Sequence, residues 1–116
     1  MSFSAAAAGA FKTLRRLAGT DVTYDLGTGF SLTLRVVRDR STVASEQDEV
    51  EESWTACDWL LLASELVVDD VMFRPEPGHE IQVGGEIYAA LPDQDACFGY
   101  EDPGRAVIRL HTKLIG

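Results

Sequence analysis

The residue types that carry most enzyme chemistry occur in this chain, but they are not arranged for it. The neighbours Asp69 and Asp70, and the pair Asp93 and Asp95, are carboxylate pairs of the kind that general acid–base catalysis uses. They lie in turn-like segments of an acid-rich chain, so solvated loops explain them better, and no nucleophile with a base accompanies them. The sequence contains no nucleophile-elbow, zinc-protease, P-loop or dinucleotide-binding motif. We therefore expect no catalytic residues.

The histidines, cysteines and glycine-rich turn predict no metal and no cofactor. His79 and His111 are 32 positions apart and have no ligand spacing with a cysteine, so a loop histidine and a strand-surface histidine are the simpler interpretation. Cys57 and Cys97 are interpreted as small buried hydrophobes, and a disulfide between them is the open alternative. The segment Gly27-Thr28-Gly29 precedes a strand rather than a helix, which indicates a hairpin turn and not a phosphate-binding loop.

Three basic or proton-accepting side chains, Arg109, His111 and Lys113, alternate along the last predicted strand and therefore share one of its faces. One interpretation is the solvated face of an edge strand, where charges oppose aggregation. The other is a surface that binds an acidic partner, such as the acidic segment 46–52 of a neighbouring copy. The candidate partner-binding residues are these three, the helix cations Lys12, Arg15 and Arg16, and the acids Glu46, Asp48, Glu49, Glu51 and Glu52.

Charge is distributed unevenly along the 116 residues. Residues 1–40 contain six basic and three acidic residues. Residues 41–102 contain one basic and sixteen acidic residues, and residues 103–116 contain three basic residues and no acidic ones. A generally acidic, solubilising surface is one explanation. A surface with basic ends and an acidic middle, suited to charged neighbours on different sides, is the other. The acidic middle argues against an ordinary duplex-binding protein, because that function needs a basic stripe to displace counterions.

Length and composition indicate one soluble domain over 1–116. With 46% hydrophobic residues the chain is long enough to bury its own core without a metal or a disulfide. No apolar run approaches the ~20 residues of a membrane span. The first residues lack the basic start of a signal peptide, so we expect synthesis in the cytoplasm without export or membrane contact.

Hydrophobic periodicity predicts the elements that must position these residues. Apolar spacings of three and four predict a helix over 3–18, with Gly19 at its C′ position. From residue 21 the period is two and predicts five to seven short antiparallel strands. They include hairpins at Gly27–Gly29 and at Gly84-Gly85, a central strand over 56–62 and a last strand over 106–115. In the strand after Gly84-Gly85 the alternating apolar residues are Ile87, Ala89 and Leu91.

The acid-rich segment 39–53 buries too little apolar surface to offset its ordering entropy, so it is expected to be a mobile loop in the isolated protein. The predicted fold class is therefore mainly β. We expect a small antiparallel β-barrel or sandwich with an N-terminal α-helix packed outside it and a long flexible acidic loop.

Several motifs together resemble a known family. They are Trp59-Leu60-Leu61, Pro77-Gly78-His79-Glu80-Ile81 with Gly85-Glu86-Ile87-Tyr88, Phe98-x-Tyr100-x-Asp102, and the closing Arg109-Leu110-His111-Thr112-Lys113. The chain resembles the phage and prophage head–tail joining, or head-completion, proteins over residues 54–116 and more loosely before them. Many members carry Asp directly after the glycine of the Pro-Gly segment, where this chain has His79-Glu80.

The resemblance implies a non-enzymatic virion protein, a small β-barrel that assembles as a ring in the neck and joins or closes the capsid portal to the tail. The implied partners are portal or connector proteins, tail-end proteins and further copies of the chain, with no specific nucleic-acid contact beyond passing DNA. The helix and the acidic loop are segments that could order on assembly. The alternatives are a nucleic-acid-binding barrel, which predicts salt-sensitive DNA affinity, and a hydrolase or ligand-binding barrel, which predicts a deep apolar pocket.

Overall fold

A computed structural model describes residues 3–45, 53–91 and 96–116. It begins with one α-helix and continues with short strands. The elements are α1 (Phe3–Ala18), β1 (Gly19–Asp25), β2 (Ser31–Ser45), β3 (Ser53–Leu62), β4 (Val67–Val68), β5 (Val71–Met72), β6 (Glu80–Val83), β7 (Glu86–Ala90), β8 (Phe98–Tyr100) and β9 (Val107–Leu114), with a 3₁₀ turn at Ala63–Glu65.

Within these residues, six strands close into an antiparallel β-barrel. The order around it is β1, β2, β3, β9, β7 and β6, and β6 pairs back with β1. β8 pairs with the first half of β9, and β4 and β5 form a separate two-stranded hairpin. The predicted fold class, mainly β with an N-terminal helix, is confirmed. Closure leaves these six strands without a long open edge over the barrel itself.

The barrel interior is filled by every second residue of its strands, as the two-residue period requires. Trp59 is fully buried, packs edge-on against Tyr88 with ring centroids 5.3 Å apart, and donates its indole N–H to Thr112 Oγ1 at 3.0 Å. The Thr112 hydroxyl in turn donates to the Cys57 carbonyl oxygen at 2.7 Å. The buried indole N–H and the buried hydroxyl therefore both have hydrogen-bond partners inside the core. Cys57 and Cys97 are both buried and are not joined in a disulfide.

The helix packs on the outside of the barrel through a second, smaller apolar cluster. Phe11 is buried there against Val37, Leu60, Leu62 and Val107, which point outward from β2, β3 and β9. The burial of one phenylalanine is worth about 2–3 kcal/mol, which a 16-residue helix needs because it is marginal alone in water.

Gly19 directly follows Ala18, the last residue of the helix, as predicted, but it does not adopt the left-handed conformation that is common at this position. Its φ is not positive, and the chain passes directly from α1 into β1 at this residue. A glycine is nevertheless required, because a Cβ here would lie 2.2 Å from the Arg15 carbonyl oxygen and 2.9 Å from Arg15 Cγ. Close approach, rather than conformational freedom, therefore accounts for this glycine.

The alternating residues expected to face the core from β7, Ile87, Ala89 and Leu91, are one position away from those that do so. Tyr88 and Ala90 face the core, whereas Leu91 is 38% exposed. The two-residue loop pairs Val83 with Glu86 and hence Ile81 with Tyr88. Cross-strand partners share a face of the sheet, so the buried Ile81 places Tyr88 inside.

Part of the segment 39–53, which was predicted to be a mobile loop, lies in two paired strands. β2 continues through Ser45 and β3 begins at Ser53, with Arg40 paired to Asp58 and Ser45 paired to Ser53. The register shifts between Arg38 and Arg40, which leaves Asp39 as an extra residue in β2. Residues 46–52, with the five predicted contact acids, lie outside the described residues.

Candidate interaction site

The predicted basic stripe of β9 is an ionic cluster closed within the subunit. The Arg109 guanidinium donates to Asp58 Oδ2 at 3.0 Å and to carboxylate oxygens of Asp39 and Glu101. His111 Nδ1 lies 3.0 Å from the other oxygen of Asp58. The cluster therefore joins β2, β3, β9 and the residue after β8 on the outer face of the barrel.

This environment changes the interpretation of the stripe. β9 pairs with β3 on one side and with β7 and β8 on the other, so the edge-strand interpretation is wrong. Hydrogen bonds to Glu101 above all, and also to Asp39 and Asp58, raise the pKa of Arg109, although partial burial acts in the opposite direction. The guanidinium is surrounded by three carboxylates of the same subunit, so its charge is already paired there. Arg109 therefore holds β2, β3 and β9 together in the free subunit, which we call bracing the barrel.

The other predicted contact residues fall into two groups. Lys12 and Arg16 are exposed on the outer side of α1, and Lys113 is half-buried on β9. Arg15 instead binds Glu65 at 2.7 Å with its side chain only 17% exposed, so it ties the helix to the turn after β3. The structure thus separates the helix cations from the β9 cluster, and among the predicted contact residues that it describes, Lys12 and Arg16 are the exposed ones.

Replacing Arg109 with methionine is expected to lower the free energy of unfolding by about 1.5 kcal/mol, because it leaves three carboxylates facing one another at a site only 20% exposed. The matched control is Arg35→Met. Arg35 binds Asp21 at the same 3.0 Å distance, but both side chains are well exposed, so its loss should cost about 0.5 kcal/mol or less. Urea unfolding at pH 7 measures both, and equal losses would contradict a bracing role for Arg109.

His79 precedes β6 in a loop, as expected, but its ring is buried, which the sequence did not indicate. Tyr24, itself fully buried, places its hydroxyl 2.7 Å from His79 Nδ1, and the backbone N–H of Glu76 donates to the same nitrogen at 3.3 Å. Since an N–H can only donate, Nδ1 is the acceptor and the neutral ring carries its proton on Nε2. The His79 ring also packs edge-on against Tyr24 and Phe73.

Burial lowers the pKa of His79 below its ordinary value of 6.5, although Glu76 and Asp25 favour the charged ring. The unfolded chain therefore binds the His79 proton more readily than the folded chain. The contribution of the neutral His79 ring to the free energy of unfolding is therefore complete above pH 6.5 and is lost progressively as the pH falls below that value.

His79→Asn keeps an acceptor near the Nδ1 position but does not titrate. As the pH is lowered from 7.5 to 5, we expect the melting temperature of the unsubstituted protein to fall by more than the melting temperature of H79N. Thermal melts of both proteins across this range test the expectation. The two proteins have the same carboxylates, so the effect of carboxylate titration on the melting temperature cancels in the comparison. A difference that does not change with pH would contradict it.

No other arrangement among the described residues points to chemistry. In the ranges that the structure describes, no group of three or more His, Cys, Asp or Glu residues is placed to hold a metal ion. No described helix is long and apolar enough to cross a membrane. An open apolar groove of about 280 Å³ lies between α1 and β9. The residues that sequence reasoning missed are Asp39, Asp58 and Glu101, and their positions relative to Arg109 follow only from the pairing of distant strands.

Comparison with models of protein families gives a match over the whole chain. The family model described as "Phage head-tail joining protein" matches residues 1–116, which is the whole chain. No curated protein sequence matches it significantly. The family match covers the helix and the N-terminal strands as well as the region 54–116 that carries the clearest motifs.

Proposed function

Because this chain belongs to the family of phage head–tail joining proteins, we propose that it is a neck subunit that assembles as a ring and joins the capsid portal to the tail. Membership of the family makes the protein a structural component of the virion. The ring, the contact with the portal and the contact with the tail are the steps that we propose beyond it. The whole-chain family match is the observation that carries the proposal.

The fold supports a role in assembly. A barrel closed by hydrogen bonds between strands is a stiff body, and the Arg109 cluster and the Arg15–Glu65 pair fasten its outer elements. A stiff subunit loses little conformational entropy when it is placed between other proteins. We propose that the protein performs no reaction and binds no cofactor.

The charged segments provide the proposed contacts. Lys12 and Arg16 on α1 offer a basic surface, and Glu46, Asp48, Glu49, Glu51 and Glu52 remain proposed contact residues for a basic partner. Arg109 and His111 are proposed to contribute through the shape of the braced barrel face rather than as unpaired charges. Opposite charges on different surfaces of one subunit suit head-to-tail contacts around a ring.

A phage with this gene deleted tests the proposal. We expect electron microscopy of its lysate to show DNA-filled or emptied capsids and separate tails, and the titre of infectious particles to fall by orders of magnitude. The gene supplied in trans should restore tailed particles. Tailed, infectious particles formed at the normal titre without the gene would contradict the proposed function.

A further inference from the structure

Two arginines meet at one tyrosine beside β8. Arg74 donates from Nε to the Tyr100 hydroxyl at 2.9 Å and from Nη1 to the Phe73 carbonyl oxygen at 2.8 Å. The Arg105 guanidinium lies over the Tyr100 ring, 5.6 Å from its centroid. Arg105 is exposed, whereas Arg74 and Tyr100 are half-buried. We call Arg74, Tyr100 and Arg105 the arginine–tyrosine cluster.

The two guanidinium groups of this cluster are not neutralised within the described part of the subunit. Neither arginine forms an ion pair in the ranges that the structure describes. The acids that follow Tyr100 are engaged elsewhere, because Glu101 binds Arg109 and Asp102 accepts two backbone N–H groups from the start of β9 and the residue before it. Arg74 is the single basic residue among the sixteen acids of 41–102. Both arginines therefore remain available to a carboxylate from outside.

The strand β8 presents an unpaired backbone edge beside the cluster. The Cys97 carbonyl oxygen and the Glu101 N–H are both bonded to β9, each at 2.8 Å. Since bonded positions alternate along an antiparallel strand, the N–H and C=O groups of Phe98 and Tyr100 point away from β9. β8 is the last strand of its sheet, and these groups have no backbone partner among the described residues. Another extended chain can add to such an edge.

We infer that an extended acidic segment of a neighbouring neck protein adds to the β8 edge and places carboxylates on Arg74 and Arg105. The inference rests on the proposed function and names the chemistry of one partner. The backbone of Phe98 and Tyr100 supplies hydrogen bonds that any extended chain can accept. Selection comes from the arginines, because alternate side chains of the added strand share one face and a guanidinium binds a carboxylate through two N–H groups.

The charge around the cluster favours a peptide over a nucleic acid. Glu76 and Glu101 lie within two residues of Arg74 and Tyr100 in the chain, and both are exposed. Duplex DNA carries a phosphate charge about every 1.7 Å along its axis, so its further phosphates would meet these carboxylates. A peptide strand spaces the side chains on one face by about 7 Å, so it can bring carboxylates to the arginines alone.

Titration of the purified protein with a synthetic peptide tests the inference by NMR. The probe is about eight residues long and alternates glutamate with valine, and the same peptide with glutamine in place of glutamate is its control. We expect the acidic peptide to shift the amide signals of Phe98 and Tyr100 and to slow their hydrogen exchange, because both amides gain a partner. The Gly99 amide, which faces β9, should keep its exchange rate.

Substitution of the arginines should weaken this binding. We expect Arg74→Gln with Arg105→Asn to lower the affinity for the acidic peptide at least about tenfold, and asparagine tolerates the φ of 60° at position 105. Lysine at both positions keeps the charge and should bind more tightly than this neutral pair. The matched control is Arg35→Gln, since Arg35 is exposed and already binds Asp21. A melting curve of each variant establishes that it folds.

The phage with the gene deleted supplies the functional readout. We expect the folded Arg74→Gln, Arg105→Asn variant to lower the titre of infectious particles at least about tenfold relative to the unsubstituted gene, and Arg35→Gln to leave it unchanged. Four results would each overturn the inference: no shift of Phe98 and Tyr100, equal binding of the glutamine peptide, binding of a duplex DNA fragment at these amides in place of the acidic peptide, or a normal titre for the folded double variant.

Failure of the inference is distinguishable from failure of the proposed function. A normal titre for the double variant, together with loss of tailed particles when the gene is deleted, would overturn the contact at β8 and support the neck role. Normal particles without any copy of the gene would overturn the proposed function itself.

Discussion

Replacing Gly19 with alanine is expected to detach α1 from the barrel and to lower the free energy of unfolding by about 3 kcal/mol. The new Cβ would lie 2.2 Å from the Arg15 carbonyl oxygen, which is backbone and cannot rotate away. The last turn of the helix must then move, and Phe11 loses its burial against β2, β3 and β9. Lys12, Leu14, Arg16 and Leu17 would move with it.

The matched control is Gly99→Ala in β8, where a Cβ would meet nothing within 4 Å and the backbone is not left-handed. Urea unfolding followed by tryptophan fluorescence measures both variants. We expect G99A to match the unsubstituted protein within about 0.5 kcal/mol. A G19A variant as stable as G99A would contradict the close approach of α1 and β1, and with it the position of α1 on the barrel.

Replacing Thr112 with valine is expected to lower the free energy of unfolding by about 2.5 kcal/mol, although the two side chains have nearly the same shape. Thr112 accepts the indole N–H of the fully buried Trp59 and donates to the Cys57 carbonyl oxygen. Valine provides neither an acceptor nor a donor. The indole N–H would remain buried without its partner, which costs more than the hydrogen bond itself contributes.

Thr112→Ser is the control for this prediction, because it keeps the hydroxyl and removes one methyl group, at a cost of about 1 kcal/mol. Equilibrium denaturation should therefore rank the unsubstituted protein above T112S and T112S above T112V. A T112V variant at least as stable as T112S would show that the hydroxyl does not satisfy the indole in the core.

Local features of the fold could be predicted from the sequence. The spacing of Phe11, Leu14 and Leu17 predicted α1 over residues 3–18, the range it occupies. Gly27–Gly29 and Gly84-Gly85 predicted two hairpins, and both are present. These signals succeed because a period of 3.6 or 2 and a tight turn depend on neighbouring residues alone.

Contacts between distant residues could not be predicted in the same way. Arg109 meets Asp39, Asp58 and Glu101, which are 70, 51 and 8 positions away. These groups converge because β9 pairs with β3 and because an extra residue in β2 displaces Asp39. The period of β9 correctly placed Arg109 and His111 on its outer face, but it carries no information about which strands cover or flank that face.

His79 illustrates a different limit. A histidine between Gly78 and Glu80 is typical of an exposed loop, and the sequence offered no sign that Tyr24 would bind its ring from a strand 55 positions earlier. The signal that could have found it is the long-range pairing of β1 with β6, which places Tyr24 opposite Ile81. Single-sequence periodicity does not contain that pairing.

A reconstruction of the purified virion by cryo-electron microscopy is the most direct test of the claim that this barrel is part of the joint between capsid and tail. We expect density between the portal and the tail that the six-stranded barrel with its outer helix fits, repeated around the phage axis. A junction fully accounted for by other proteins, in particles from which this chain is absent by mass spectrometry, would contradict that claim.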